Sequence, residues 1–239
     1  MLAMTGACAT LFALIHIFIG RLNLLHGVPR NWWLSLAGGV AVSYVFLHIL
    51  PELSTHQETF ARGFGVSVQT GEIWVYLVSL LGLALFYGLE RAAKLSRRES
   101  AEDRVESHVL WIHITSFGLY NILIGYLLLH REETSTWSLI IYTVAMALHF
   151  VTNDFGMRED QKHLYDHIGR WIIAAAVMCG WLMGLVITLP PIAIGLLFAF
   201  LAGGVVLNVL KEELPEERES QFLPFLLGLG GYSALLLMR

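Results

Sequence analysis

Apolar residues run along this chain in eight blocks, near positions 3–25, 32–51, 72–91, 109–129, 136–156, 168–189, 191–211 and 221–238, separated by short polar breaks. Each block is close to the ~20 residues that an α-helix needs to cross the hydrocarbon core of a bilayer. The pattern therefore predicts an all-α integral membrane protein with eight transmembrane helices. The first block has no basic stretch ahead of it and no convincing cleavage site, so it reads as a permanent span and not as a signal peptide. The longest polar stretch, Glu90 to Ser107, leaves no room for a soluble domain. Residues 1–239 form one membrane domain.

Two of the blocks echo one another. Leu36-Ala37-Gly38-Gly39-Val40, running on to Leu50-Pro51-Glu52, recurs as Leu201-Ala202-Gly203-Gly204-Val205, running on to Leu214-Pro215-Glu216 with one residue fewer between the ends. A second echo follows each copy: Leu80-Leu81-Gly82-Leu83, then Leu226-Leu227-Gly228-Leu229. Repeats of this kind mark membrane carriers. Five crossings separate the second block from the seventh, so the copies run in opposite directions and the repeat is inverted. The expected arrangement is 3+2+3: a first triplet over 1–91, a central pair over 109–156 and a second triplet over 168–239. The paired glycines are read as sites of close helix packing.

Composition agrees with a bilayer protein, at 56% hydrophobic and 14% charged residues with a mean hydropathy of +0.64. The net charge of -4 is small and the basic residues are scattered among loops, which gives no footprint for nucleic acid. Their distribution sets orientation instead. Arg21, Arg30, Arg91, Lys94, Arg97, Arg98, Arg104, Arg158, Lys162, Arg170, Lys211 and Arg218 fall on one side, against Arg62, Arg131 and Arg239 on the other. The positive-inside rule puts the first set in the cytoplasm and both termini outside, in a cell membrane. Glu52, Glu58, Glu72, Glu132 and Glu133 then populate the outer face, where an acidic mouth attracts cations. Cys8 and Cys179 lie in separate apolar blocks and form neither a disulfide framework nor a thiolate metal spacing.

Ionisable side chains at mid-bilayer are costly, so each needs a partner, water or a chemical role. The central pair carries most of them: His113, Thr115, Ser116 and Asn121 on the fourth helix, and His149, Thr152, Asn153 and Asp154 on the fifth. His149 and Asn153 stand one turn apart on one face. Imidazole with carboxylate suits zinc and neighbouring transition metals. The other reading of the same residues is a buried His and Asp that satisfy each other across the helix pair. His48 and Glu52, four residues apart at the end of the second helix, are a secondary candidate pair. His163 and His167 share that spacing but sit in a charged, wet turn, and lone His16 reads as structural.

Phe46-Leu47-His48-Ile49-Leu50-Pro51-Glu52 resembles the helix-two ending of the ZIP (Zrt/Irt-like) metal transporters, and Ala199 through Glu216 resembles their helix seven. The resemblance implies eight helices as three, two and three, outward-facing termini, and frequent pairing of two copies into a homodimer. It also implies a divalent cation as cargo, such as zinc, iron or manganese, bound between helices four and five. On the family's helix-four motif, His113-Ile114-Thr115-Ser116-Phe117-Gly118 keeps the histidine and the glycine but has Ile114 and Phe117 at ligand positions. On the helix-five motif, His149-Phe150-Val151-Thr152-Asn153-Asp154 keeps the histidine and one acid, with Asn153 where many members carry a bridging carboxylate. These departures remove a two-metal site. They leave one metal held by His113 and His149, with Asn153 or Asp154 and water.

Three functions follow as expectations. The first is a divergent ZIP-like carrier of a divalent cation, not an enzyme, whose outer triplets move against the central pair. The second is a non-transporting relative serving as sensor, scaffold or partner subunit. The third is an intramembrane zinc hydrolase in which His113, His149, Asp154 and Ser116 hold a metal-activated water.

Overall fold

A computed structural model describes residues 1–21, 32–99, 107–131, 135–160, 162–213 and 221–237. Every regular element among them is helical: α1 (Leu2–Phe18, extended by a 3₁₀ turn Ile19–Arg21), α2 (Trp32–Tyr44), α3 (Leu50–Thr55), α4 (Gln57–Phe64), α5 (Val68–Glu99), α6 (Ser107–Leu127), α7 (Thr136–Asp160), α8 (Lys162–Leu164), α9 (Arg170–Val186), α10 (Pro191–Glu213) and α11 (Phe222–Leu237). π turns over Val45–Ile49 and Tyr165–Gly169 join α2 to α3 and α8 to α9. Six helical segments among the described residues are long and apolar enough to cross a membrane, and Ile114–Leu127 and Phe222–Leu237 are apolar but shorter. These are the properties of an integral membrane protein.

Two helices depart from the expected lengths. The third runs past its apolar block to Glu99, because Arg, Lys and Glu are good helix formers and carry the helix out of the apolar layer. At its other end Ser67 supplies a cap, its Oγ accepting from the Thr70 amide at 3.2 Å. The second block continues through Pro51 to Phe64. Pro51 has no amide hydrogen to give to the Leu47 carbonyl, and its ring crowds that carbonyl. The π turn directly before it opens the helix by one residue and relieves the conflict. Only the first copy of the repeat has the additional residue between its ends; the second copy is one unbroken α-helix up to Glu213.

Burial is arranged for lipid outside and for packing and polarity inside. Ile73, Leu80, Leu81, Leu119 and Val186 are exposed, whereas His16, Asn121, His149, Thr152, Asn153, Asp154 and Asn208 are buried. Without a hydrophobic drive between helices in lipid, close approach depends on small residues. Three reciprocal glycine contacts supply it. A Cβ on Gly39 would sit 2.0 Å from the Phe225 carbonyl oxygen, and one on Gly228 would sit 2.0 Å from that of Leu36, locking α2 to α11. Gly82 and Gly203 lock α5 to α10 in the same way, through the Phe200 and Ser79 carbonyls. Gly125 and Gly180 lock α6 to α9.

The packing sorts the helices into two groups. One holds α2 to α5 with α10 and α11; the other holds α1, α6, α7 and α9, and the groups meet chiefly where α2 and α10 face α7 and where α5 faces α6. Each glycine contact in the first group joins a helix of the first sequence triplet to one of the second. The register also differs from the motif alignment by one residue. Gly39 corresponds in its contacts to Gly203, where motif matching pairs it with Gly204, whose own Cβ position faces the Phe86 ring.

Candidate functional site

A cavity of about 210 Å³ lies at the seam between the two groups. The first group contributes Tyr44, His48, Glu52 and His56 from the α2 to α4 segment, with Phe198 and Leu201 from α10; the second contributes Ile124 from α6, Arg131 from the turn after it, and Tyr142 and Met146 from α7. His48 Nε2 stands 3.3 Å from Glu52 Oε2, and the imidazole stacks on Tyr44 with ring centroids 5.0 Å apart. On the facing wall the Arg131 guanidinium lies 6.0 Å over the Tyr142 ring. Burial there lowers its pKa from the ordinary value. The pair His48 and Glu52 thus lines this cavity.

A second polar assembly is dry. His16, from α1, and Asp154, from α7, are both 0% exposed, with Nδ1 2.6 Å from Oδ2. His16 Nε2 lies 3.0 Å from Asn121 Oδ1, while Asn121 Nδ2 donates to the Phe117 carbonyl at 2.9 Å. That second bond fixes the amide, since turning it over would set oxygen against oxygen. The Nε2 of His16 therefore donates to Asn121, and Nδ1 faces the Asp154 carboxylate. Each of the three side chains has a partner, which is what makes the assembly tolerable at this depth. Tyr165, in the π turn before α9, reaches the His16 carbonyl at 3.5 Å. Asp154 Oδ1 is buried without a well-formed hydrogen bond among the described residues.

The remaining predicted residues divide between these places. His149 is buried three residues after the cavity-lining Met146 on α7, beside the Tyr120 ring at 6.4 Å, and its Nε2 has no hydrogen-bond partner among the described residues. Asn153 is buried one turn further along α7. Ser116 is half-buried in α6 and engaged in contacts of its own. His113 falls within α6, but its side chain lies outside the described residues. The fold brings Asp154 and Asn121 together through His16. It puts His48 and Glu52 in a separate chamber. Among the described residues, no three His, Cys, Asp or Glu side chains stand where they could hold one metal ion.

His16 is the residue that sequence reasoning undervalued. It is structural, as expected, yet it is also the hub of the buried network, and it takes the carboxylate that was a candidate metal ligand. A polar side chain in an apolar span always requires a partner, but sequence does not say which helix provides it. His56, Arg131 and the two tyrosines of the cavity were not singled out either. The four-residue spacing of Tyr44, His48, Glu52 and His56 was a usable signal for one wall. Comparison of the chain with family models, with curated proteins and with solved structures finds no match in any of the three.

Proposed function

We propose that the protein is a ZIP-like carrier that moves a divalent cation across a cell membrane by alternating access, with its termini outside and its helices in a 3+2+3 inverted repeat. One observation carries this reading: the cavity opens where α2 and α10 face α6 and α7, in a fold whose helix pairs α2–α11, α5–α10 and α6–α9 are each tied by close glycine contacts. A carrier needs such a seam, because two rigid bodies can then shift about a solute chamber. The repeat is supported by the matching glycine contacts, in which Leu36 and Phe225 take the places that Phe200 and Ser79 take in the other copy. The cation passes from the chamber toward His149, with His113 as its other imidazole ligand. Purified protein in proteoliposomes should take up zinc, iron or manganese, and His149→Ala together with His113→Ala should abolish uptake. Unchanged uptake in that double variant rejects the site.

A second reading has its own support. Asp154 is committed to His16, which removes the carboxylate a cation site at this depth would use and favours a non-transporting sensor, scaffold or partner subunit. Cation flux through the purified protein eliminates this alternative. Folded protein that binds no cation at micromolar concentration in calorimetry and shows no flux establishes it.

A further inference from the structure

The seam cavity holds a feature that a bare cation does not explain. Its wall carries Arg131, whose fixed charge repels a divalent ion entering the same space. Among the described residues the guanidinium makes two hydrogen bonds, Nη1 to Ser138 Oγ at 3.4 Å and Nε to the Leu128 carbonyl at 3.5 Å. Both are at the long limit for such bonds, and no described carboxylate lies within ion-pair distance of it. A guanidinium presents five donors in a planar fork shaped for a carboxylate. Here that fork sits half-buried in a chamber of about 210 Å³, large enough for a small organic solute. Glu52 lines the same chamber and is engaged with His48 at 3.3 Å.

We infer that the seam cavity is a binding site for a small carboxylate, gripped by Arg131 against the Tyr142 ring. The inference is independent of the cation reading, since it predicts binding whether or not any metal is carried. Lys at this position would keep the charge but lose the fork.

The test uses the full chain in detergent and propionate as the probe, with thermal unfolding followed against chloride at equal ionic strength. Propionate should raise the unfolding temperature saturably where chloride does not. Arg131→Gln should weaken propionate binding roughly tenfold or more, the loss expected for a charge-assisted pair, and Arg131→Lys should weaken it by less. Glu52→Gln, which removes the opposing charge, should tighten it. No saturable effect of propionate on folded wild-type protein overturns the proposal, as does retention of the effect in Arg131→Gln. Should Arg131→Gln fail to fold, unchanged or weaker binding in Glu52→Gln or undiminished binding in Arg131→Lys overturns it equally. Zinc flux is a separate readout, so failure of the carrier reading leaves this result interpretable.

Discussion

The buried network and the seam cavity use the same residue types to opposite ends. In the network, His16, Asp154 and Asn121 come from three helices, are almost wholly sealed from solvent, and direct most of their polar atoms at one another. In the cavity, His48 and Glu52 pair at 3.3 Å, while Arg131 reaches the Leu128 carbonyl and Ser138 through long bonds. A polar group committed to a neighbour stabilises a helix arrangement; one held open is available to a solute. The groups are separated by their surroundings and not by their chemistry.

The comparison presupposes that each helix group stays intact, so the largest effect is expected where that assumption is attacked. Gly203→Leu forces a side chain into the Ser79 carbonyl, 1.8 Å from the Cβ position. It should abolish recovery of monodisperse protein in size-exclusion chromatography. Gly230→Leu, at a position with nothing within 4 Å, should leave recovery intact.

The network is tested next. Asp154→Leu strands the His16 imidazole in a dry site and should cost about 3–5 kcal/mol, seen as a fall in unfolding temperature. His16→Leu combined with Asp154→Leu should restore most of that loss, because two apolar side chains have nothing left to satisfy. A double variant as unstable as the single one would mean that the pair does more than satisfy itself.

His149 lies between the two regions and sharpens the contrast. Its unpartnered Nε2 makes it a liability for stability, so His149→Leu should leave the unfolding temperature unchanged or raise it by about 1 kcal/mol equivalent, while removing any cation uptake. A clear loss of stability would place His149 with the network. The smallest effect belongs to the cavity wall. Glu52→Gln should change stability by no more than about 1 kcal/mol, as for other solvent-accessible ion pairs, even though it alters propionate binding.

How much of this could be read from the chain differs for fold and site. The apolar block at 191–211 became a helix nearly as drawn, and the first block did so over its described residues up to Arg21, since a run of ~20 apolar residues has few alternatives in lipid. Of the paired glycines read as packing residues, Gly39 and Gly203 stand at backbone-close helix approaches, with a Cβ 2.0 and 1.8 Å from a neighbouring carbonyl oxygen, while Gly204 faces the Phe86 ring. Their partners were not readable. Gly39 meets a helix that begins more than 180 residues later, and nothing local to either segment encodes that choice. The site was less readable still. His48 and Glu52 were paired correctly from their spacing within one helix, whereas Asp154 found its partner on α1, since a hydrogen bond between helices depends on rotation and depth that sequence distance does not record.

Residue order alone fixed the bilayer as solvent, the helical class, the glycine positions and the identity of every polar group that must find a partner, because these follow from transfer energies and backbone geometry summed over local stretches. Tertiary packing decided the rest: that α2 interlocks with α11 and α5 with α10, that His16 claims Asp154, and that Arg131 and Glu52 come to line one chamber. Those outcomes depend on how eight apolar rods settle against one another, where differences of about one residue in register redirect a side chain from a neighbour to a cavity.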